Sequence, residues 1–355
     1  MRRGAGGRVA YAAPEERARG VVAASAGNHA QGVALASQAL GVPCTICMPI
    51  DASLTKVEST RGYGARIELG GVAFDDALGH ARSLCEREGA VFISPFDDED
   101  VIAGQGTVGL EILDHLPDPD LVVVPCGGGG LISGVSLAVH GIRPQTEIVG
   151  VQAETCAPFV ASLERGQIGV AEAAGTIADG IAVKRPGEIT FPIVQEHVAR
   201  MATVDDEQIA AAMTLLSERQ KLVVEGAGAA GVAALTAGAL GDITGRRVVV
   251  VLSGGNIDLL LLQGIMRHGL TTAGRYMRFT TRMADRPGSL REFLDILTAE
   301  RVNIVDMFHH RDGTDLGVTD TAVDITVETR DHAHGELVLE RIRAGGYPAE
   351  RMRLN

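Results

Sequence analysis

The chain has no tryptophan and only 3% aromatic residues, which leaves little surface on which the bases of single-stranded nucleic acid could stack. Basic charge is also short. Lys and Arg number 32 against 45 Asp and Glu, a net charge of −13. That balance argues against a nucleic-acid partner and mainly implies solubility. Lysine itself is rare: three occur, Lys56, Lys184 and Lys221, and the other basic residues are Arg, as biased genomic base composition would give. Five cysteines, an odd number spread over 355 residues, predict reduced thiols in a cytoplasmic compartment and no disulfide framework. Cys44-Thr45-Ile46-Cys47 spells a C-x-x-C, but it lies inside an apolar strand-like run without a second pair. Buried strand thiols are expected there, not a redox or metal centre. Residues 1–20 are charged and lack the apolar block of a signal peptide. The uncharged stretch from Leu121 to Val139 holds Pro125 and four consecutive glycines, which predicts strand, loop and helix and no membrane span.

What the chain does have is a large apolar fraction, 46%, enough for a sizeable core, and a length that suits about two domains. From residue 20 to about residue 270, short Val/Ile runs alternate with Ala/Leu-rich helical stretches. Strands are expected at Gly20–Ala24, Cys44–Met48, Ala65–Leu69, Val91–Ser94, Leu121–Val124, Glu147–Val151 and Arg247–Leu252. Helices are expected at Ala30–Leu40, Asp75–Glu88, Ile132–His140, Asp206–Leu222 and Gly228–Leu240. The rhythm is that of an α/β domain with parallel sheets, in which ligands bind beyond the carboxyl ends of the strands. The composition changes near Gly269–Arg275. From Met277 apolar residues alternate along a strand, and Leu290, Phe293, Leu294 and Leu297 then mark one helix face. Two further strands, a helix from Gly335 to Arg343 and a final strand over Glu350–Leu354 give the order βαββαβ, a ferredoxin-like module. The expected domains are 1–270 and 277–355.

Three glycine-containing loops occupy the ligand end of the α/β part. The foremost is Gly127-Gly128-Gly129-Gly130-Leu131, between an apolar strand and a helix. Four glycines in a row are costly to order, and they suit a backbone that presses close to a ligand and aims several N–H groups at an anion, most often a phosphate. A Walker loop is excluded, since no Gly-Lys-Ser/Thr follows. The other two are Ser25-Ala26-Gly27-Asn28-His29-Ala30 and Ser253-Gly254-Gly255-Asn256. Taken singly, each also reads as a helix cap or a glycine-rich strand exit. A literal G-x-G-x-x-G at Gly226–Gly231 follows too short a strand signal and lacks the later acidic residue. Close helix packing is its expected role.

These motifs, with Gly104-Gln105-Gly106-Thr107 and Thr176-Ile177-Ala178-Asp179-Gly180, stand in the order found in pyridoxal-phosphate-dependent threonine dehydratases (threonine ammonia-lyases). The chain resembles that family over nearly its whole length, and Asp285–Leu290 with its βαββαβ pattern resembles an ACT regulatory domain. The resemblance implies a tryptophan-synthase-β-like fold of type II and pyridoxal 5'-phosphate as cofactor. It implies that Gly127, Gly128, Gly129, Gly130 and the Leu131 amide cradle the cofactor phosphate. By the same carry-over Asn28 bonds the ring hydroxyl, Ser253 meets the pyridine nitrogen, and Ser25 with the Gly27–His29 amides holds the substrate carboxylate. Glu225 is expected near the ring without an assigned role. L-Threonine would give 2-oxobutanoate and ammonia, and L-serine pyruvate. An amino-acid effector at the ACT-like domain, with branched-chain amino acids as the candidates, and a homo-oligomer are further implications.

The family attaches its cofactor to a lysine in Ser-x-Lys-x-Arg-Gly-Ala. Arg3-Gly4-Ala5 matches the tail of that pattern and puts Met1 at the lysine position. None of the three lysines present has a Schiff-base context. Two readings follow: a longer protein whose preceding residues include the lysine, or a remnant that binds amino acids without turnover. A racemase is the remaining alternative. Ala26 speaks against it, because it replaces the serine that serves the second face of Cα in related racemases and cannot transfer a proton. Glu154 is present, but Pro158-Phe159-Val160 lacks the acid expected downstream, so no divalent metal is expected.

Overall fold

A computed structural model describes residues 2–72, 74–172, 174–311 and 316–352. Contacts divide the chain at Asp258/Leu259, and the helix Leu259–Thr272 groups with the second unit.

The first unit contains two parallel sheets. One is built from β1 (Val21–Ala24), β2 (Cys44–Met48), β3 (Arg66–Leu69) and β4 (Val91–Phe92), in the order β3-β2-β1-β4. The other is built from β5 (Leu121–Pro125), β6 (Glu147–Ala153), β7 (Arg200–Val204) and β8 (Val248–Val250), in the order β7-β6-β5-β8. Each sheet puts its most apolar strand inside. All of β5 is buried, as are the four residues of β1, because a parallel sheet is covered on both faces. Val122, Val124, Ile132, Val135, Ile148 and Phe159 fill the core of the second sheet.

The second unit carries the expected βαββαβ order. Its strands are β9 (Tyr276–Ala284), β10 (Ile304–His310), β11 (Asp320–Glu328) and β12 (Ala349–Arg351), antiparallel in the order β10-β11-β9-β12. Met277, Phe279, Thr281 and Met283 point inward on alternate positions of β9, toward Phe293 and Leu297 of the helix Ser289–Ala299.

Differences from expectation are local. β7 carries no strong apolar run and was not foreseen. β8 covers Val248–Val250, short of the expected end at Leu252, so Ser253 does not follow the strand directly. The helix expected over Asp206–Leu222 ends at Leu215 and passes into a π-helical turn, Leu216–Gln220. Lys221 then adopts φ 58°, so it is not helical. The final strand ends at Arg351, and residues 353–355 lie outside the described residues. No helix among the described residues is long and apolar enough to cross a membrane.

Candidate active site

The tetraglycine loop begins where β5 ends. Cys126 N still donates to Val151 O at 2.8 Å, which extends the pairing of β5 with β6. Gly129 then takes φ 97°, a left-handed conformation suited to glycine, and caps the helix Gly130–Ile142. The loop's other side is packed without slack. A β-carbon at Gly128 would overlap the Phe96 ring, and one at Gly130 would lie 2.9 Å from Phe96 Cα and O. One at Gly129 would lie 2.7 Å from Phe159 Cζ and 2.8 Å from Thr190 Cβ. Thr190 Oγ1 donates to Gly128 O at 2.7 Å, and Gln152 Nε2 to Cys126 O at 3.2 Å. Thr190 is itself held by Asp97, whose carboxylate accepts from the amides of Ile189 (2.8 Å), Glu188 (3.0 Å) and Thr190 (3.3 Å).

Among the described residues, the amides from Gly127 to Ile132 find no acceptor within the protein, whereas Ser133 N donates to Gly129 O at 2.9 Å. A run of unpaired N–H groups at a helix N-terminus is a binding site for an anion.

The asparagine loop follows β1. Ser25 Oγ accepts from Gly27 N at 3.0 Å, which leaves its own O–H free to donate outward. Asn28 opens the helix Asn28–Leu40, and its Nδ2 donates to Glu225 Oε1 at 2.6 Å. Glu225 Oε2 accepts from Asn256 N at 3.1 Å, and Asn256 Oδ1 from Gln31 Nε2 at 3.3 Å. Glu225 is 4% exposed. Burial pushes its carboxyl above the ordinary value, with nearby Asp179 adding to the effect and the bonds from Asn28 and Asn256 opposing it.

Gly180 ties these loops to the tetraglycine. A β-carbon on Gly127 would lie 3.4 Å from Gly180 O, and one on Gly180 would lie 3.7 Å from Glu225 Oε1. One on Gly254 would lie 3.1 Å from Asn28 Nδ2. The structure therefore gathers Asn28, Gly127 and the Ser253–Asn256 turn around Glu225 and Gly180. Ser253 itself is exposed. Met1 lies outside the described residues.

Several groups escaped the sequence reading. Lys56 has a side chain only 22% exposed and pairs with Asp179 at 2.7 Å, bridging to the Thr176–Gly180 motif. Asp97, Gln152 and Thr190 carry no motif of their own. His29 is buried. Its Nε2 sits 3.0 Å from Ile93 O, so that nitrogen carries the proton. Burial holds its pKa down at about 4. Burial also pushes the Cys44 and Cys47 thiols up to about 11, which keeps both protonated at neutral pH. The Gly226–Gly231 glycines serve packing: a β-carbon at Gly228 would lie 2.8 Å from Gly254 O, and one at Gly231 2.7 Å from Val250 Cγ1.

Two parallel sheets whose carboxyl-end loops converge beside an anion-binding helix terminus define an α/β protein built to hold a phosphorylated small molecule. The model of the pyridoxal-phosphate dependent enzyme family matches residues 2–254, and the chain belongs to that family. It is 47% identical over 345 residues to an L-threonine ammonia-lyase of Thermotoga maritima, covering 97% of this chain and 86% of that protein. Among solved structures it resembles the processed form of threonine deaminase isoform 2 from Solanum lycopersicum, with a TM-score of 0.72 and 38% identity over 75% of this chain and 78% of the other. It also resembles maize serine racemase, with a TM-score of 0.70 and 35% identity over 76% of this chain and 83% of the other. The fold is that of the type II pyridoxal-phosphate enzymes. The residues present fit the cofactor, since the unpaired amides from Gly127 to Ile132 suit a phosphate ester and Asn28 retains an N–H beyond the one given to Glu225.

Proposed function

We propose that the protein is an ammonia-lyase that converts L-threonine to 2-oxobutanoate and ammonia, and L-serine to pyruvate. The observation that carries this reading is the row of unpaired tetraglycine amides beside the Asn28–Glu225 pair, in a chain with 47% identity to an enzyme of that name.

Bound pyridoxal phosphate would supply an electron sink for the carbanion formed at the amino-acid Cα. The protein's part is positioning and polarity. Gly127–Gly130 and the Leu131 amide hold the phosphate with fixed dipoles and no side-chain charge. Asn28 donates its second N–H to the ring hydroxyl. Ser253 would offer a neutral hydroxyl, and not a carboxylate, to the pyridine nitrogen. The Ser25 O–H, with the Asn28 and His29 amides, would grip the substrate carboxylate, because the Gly27 amide is already given to Ser25 Oγ. Position 1 is where the family pattern sets its lysine, and Met1 cannot make that covalent link.

We assign the second unit an ACT-like regulatory role, with a small amino acid as effector. It carries a hollow lined by Met283, Leu290, Ser289 and Thr321, with Asp285, Arg286 and Arg311 as charged groups, Arg311 being paired with Asp285 at 3.1 Å. Those groups suit a zwitterion with an aliphatic side chain. The edge strand β10 leaves Ile304, Met307 and Phe308 exposed, which supports self-association by strand pairing into a homo-oligomer.

The test is product analysis with pyridoxal phosphate and L-threonine, on the chain as it stands and with Met1→Lys behind an added initiator. Keto acid formation, rising in the lysine variant, is expected. A D-amino acid without keto acid would overturn the reading in favour of a racemase.

A further inference from the structure

Glu225 is an expensive residue at its position. A carboxylate that is 4% exposed must be hydrogen-bonded to be tolerated. It stands at the N-cap of the helix Gly226–Thr236, yet its side chain makes no capping bond there. It turns away to Asn28 Nδ2 and Asn256 N. Gly254 makes room for it, since a β-carbon there would overlap Glu225 Oε1. Gln31 closes the circuit by donating to Asn256 Oδ1, and Gln31 lies one helical turn beyond Asn28. The Glu225 amide adds a bond to Gly254 O at 3.1 Å.

A carboxylate only accepts hydrogen bonds. It therefore dictates which way the Asn28 amide faces: the NH2 must point to Glu225, and one N–H remains for another acceptor. The other oxygen fixes the Ser253–Asn256 turn. We propose that Glu225 is a positioning residue that locks the Asn28 amide and the Ser253–Asn256 turn into one rigid unit, so that the two edges of the cofactor ring are gripped at a fixed separation. The part concerning the ring rests on the function proposed above. The coupling itself does not.

Hydrogen exchange of the protein without cofactor tests the coupling. In Glu225→Ala the Asn256 amide should lose about tenfold or more of its protection, with Val122–Val124 in β5 unchanged. The double variant Asn28→Asp/Glu225→Gln reverses the polarity of the pair. The new amide donates to the new carboxylate and still accepts from Asn256 N, so protection should return to within about threefold of the parent. Affinities for pyridoxal phosphate and for inorganic phosphate supply the second readout. Pyridoxal phosphate should bind about tenfold or more weakly in Glu225→Ala and equally weakly in the double variant, because the ring oxygen loses the Asn28 N–H and meets a carboxylate in its place. Inorganic phosphate should bind all forms alike, since Glu225 does not touch the tetraglycine amides. Unchanged Asn256 protection in Glu225→Ala would overturn the proposal. So would an affinity for pyridoxal phosphate that follows the exchange rescue. A parent chain that binds no pyridoxal phosphate would sink the functional reading, while the exchange measurement would still decide the coupling.

Discussion

Substitution of Gly128 by alanine should destabilise the first unit through a single identifiable contact. The φ of Gly128 is not in the left-handed region, so space alone opposes a methyl group there. The three nearest atoms to the added β-carbon are Cγ, Cδ1 and Cδ2 of Phe96. Overpacking of this kind costs about 1–3 kcal/mol, which in a unit of this size lowers the melting temperature by roughly 2–10 °C. Phe96→Ala alone should cost about 2 kcal/mol, because the ring is half-buried. It removes all three clashing atoms. The double variant should then lose less than the sum of the single variants, with a coupling of about 1–2 kcal/mol. Gly130 supplies the control. Its β-carbon would also meet Phe96, but at Cα, Cβ and the carbonyl oxygen, each 2.9 Å away. No truncation of the ring relieves that, so Gly130→Ala and Phe96→Ala should add. Urea unfolding of the five variants, with slopes compared as well as midpoints, measures both cycles. Additivity at Gly128, or rescue at Gly130, would refute the view that Phe96 is the floor of the anion site.

Two further predictions follow from the same region. His29 has a folded pKa of about 4 against 6.5 unfolded, so the unfolded chain takes up its proton first and stability falls as pH drops from 6.5 to 4. The full effect is roughly 3 kcal/mol, and His29→Gln, which keeps a donor for Ile93 O, should flatten the stability profile relative to the parent across that window in pH-dependent urea titrations. Gly104→Ala should detach the helix Arg2–Tyr11, because its β-carbon would lie 2.6 Å from Arg3 O and 2.7 Å from Gly4 Cα; cleavage at Arg8 under limited proteolysis should rise severalfold while the second unit keeps its melting temperature.

Much of the fold is written locally. Cys44–Met48 is a strand with the expected bounds, and the alternation in Met277–Met283 faces the core as its period requires. Both signals depend only on neighbouring residues. Arg200–Val204 was missed because its apolar residues are too few to signal a strand; it forms one by pairing with β6. Beyond Leu215 the helix widens into the π-helical turn Leu216–Gln220, which Lys221 ends in a left-handed conformation, and no local pattern in the sequence marks that change. The tetraglycine loop was legible for the same local reason as the strands: glycine advertises itself. Its supports were not. Asp97 acts on Thr190 and Glu225 on Asn28, each across a long sequence separation, and an isolated acid has no pattern to betray its partner. Glu225 could be placed near the ring only by resemblance; its role emerges from two distances.

The scarcity of lysine bears on how this site holds an anion. The chain carries a net charge of −13, which should repel a phosphate ester at long range. The tetraglycine amides lie at a helix terminus and act over a few ångströms, where oriented dipoles outweigh a distant and screened net charge. The cation at the neighbouring motif, Lys56, is already paired with Asp179 and adds little net field. Selectivity must then come from shape, since a helix terminus gripping a compact anion discriminates by how many amides the ligand can reach. The buried carboxylate of Glu225 sharpens that selection. Under the proposed function it would repel an anionic group that enters in the wrong orientation, while the Asn28 amide, held by it, presents a donor. On that reading, attraction at one end and repulsion at the other orient the ligand without a lysine at either.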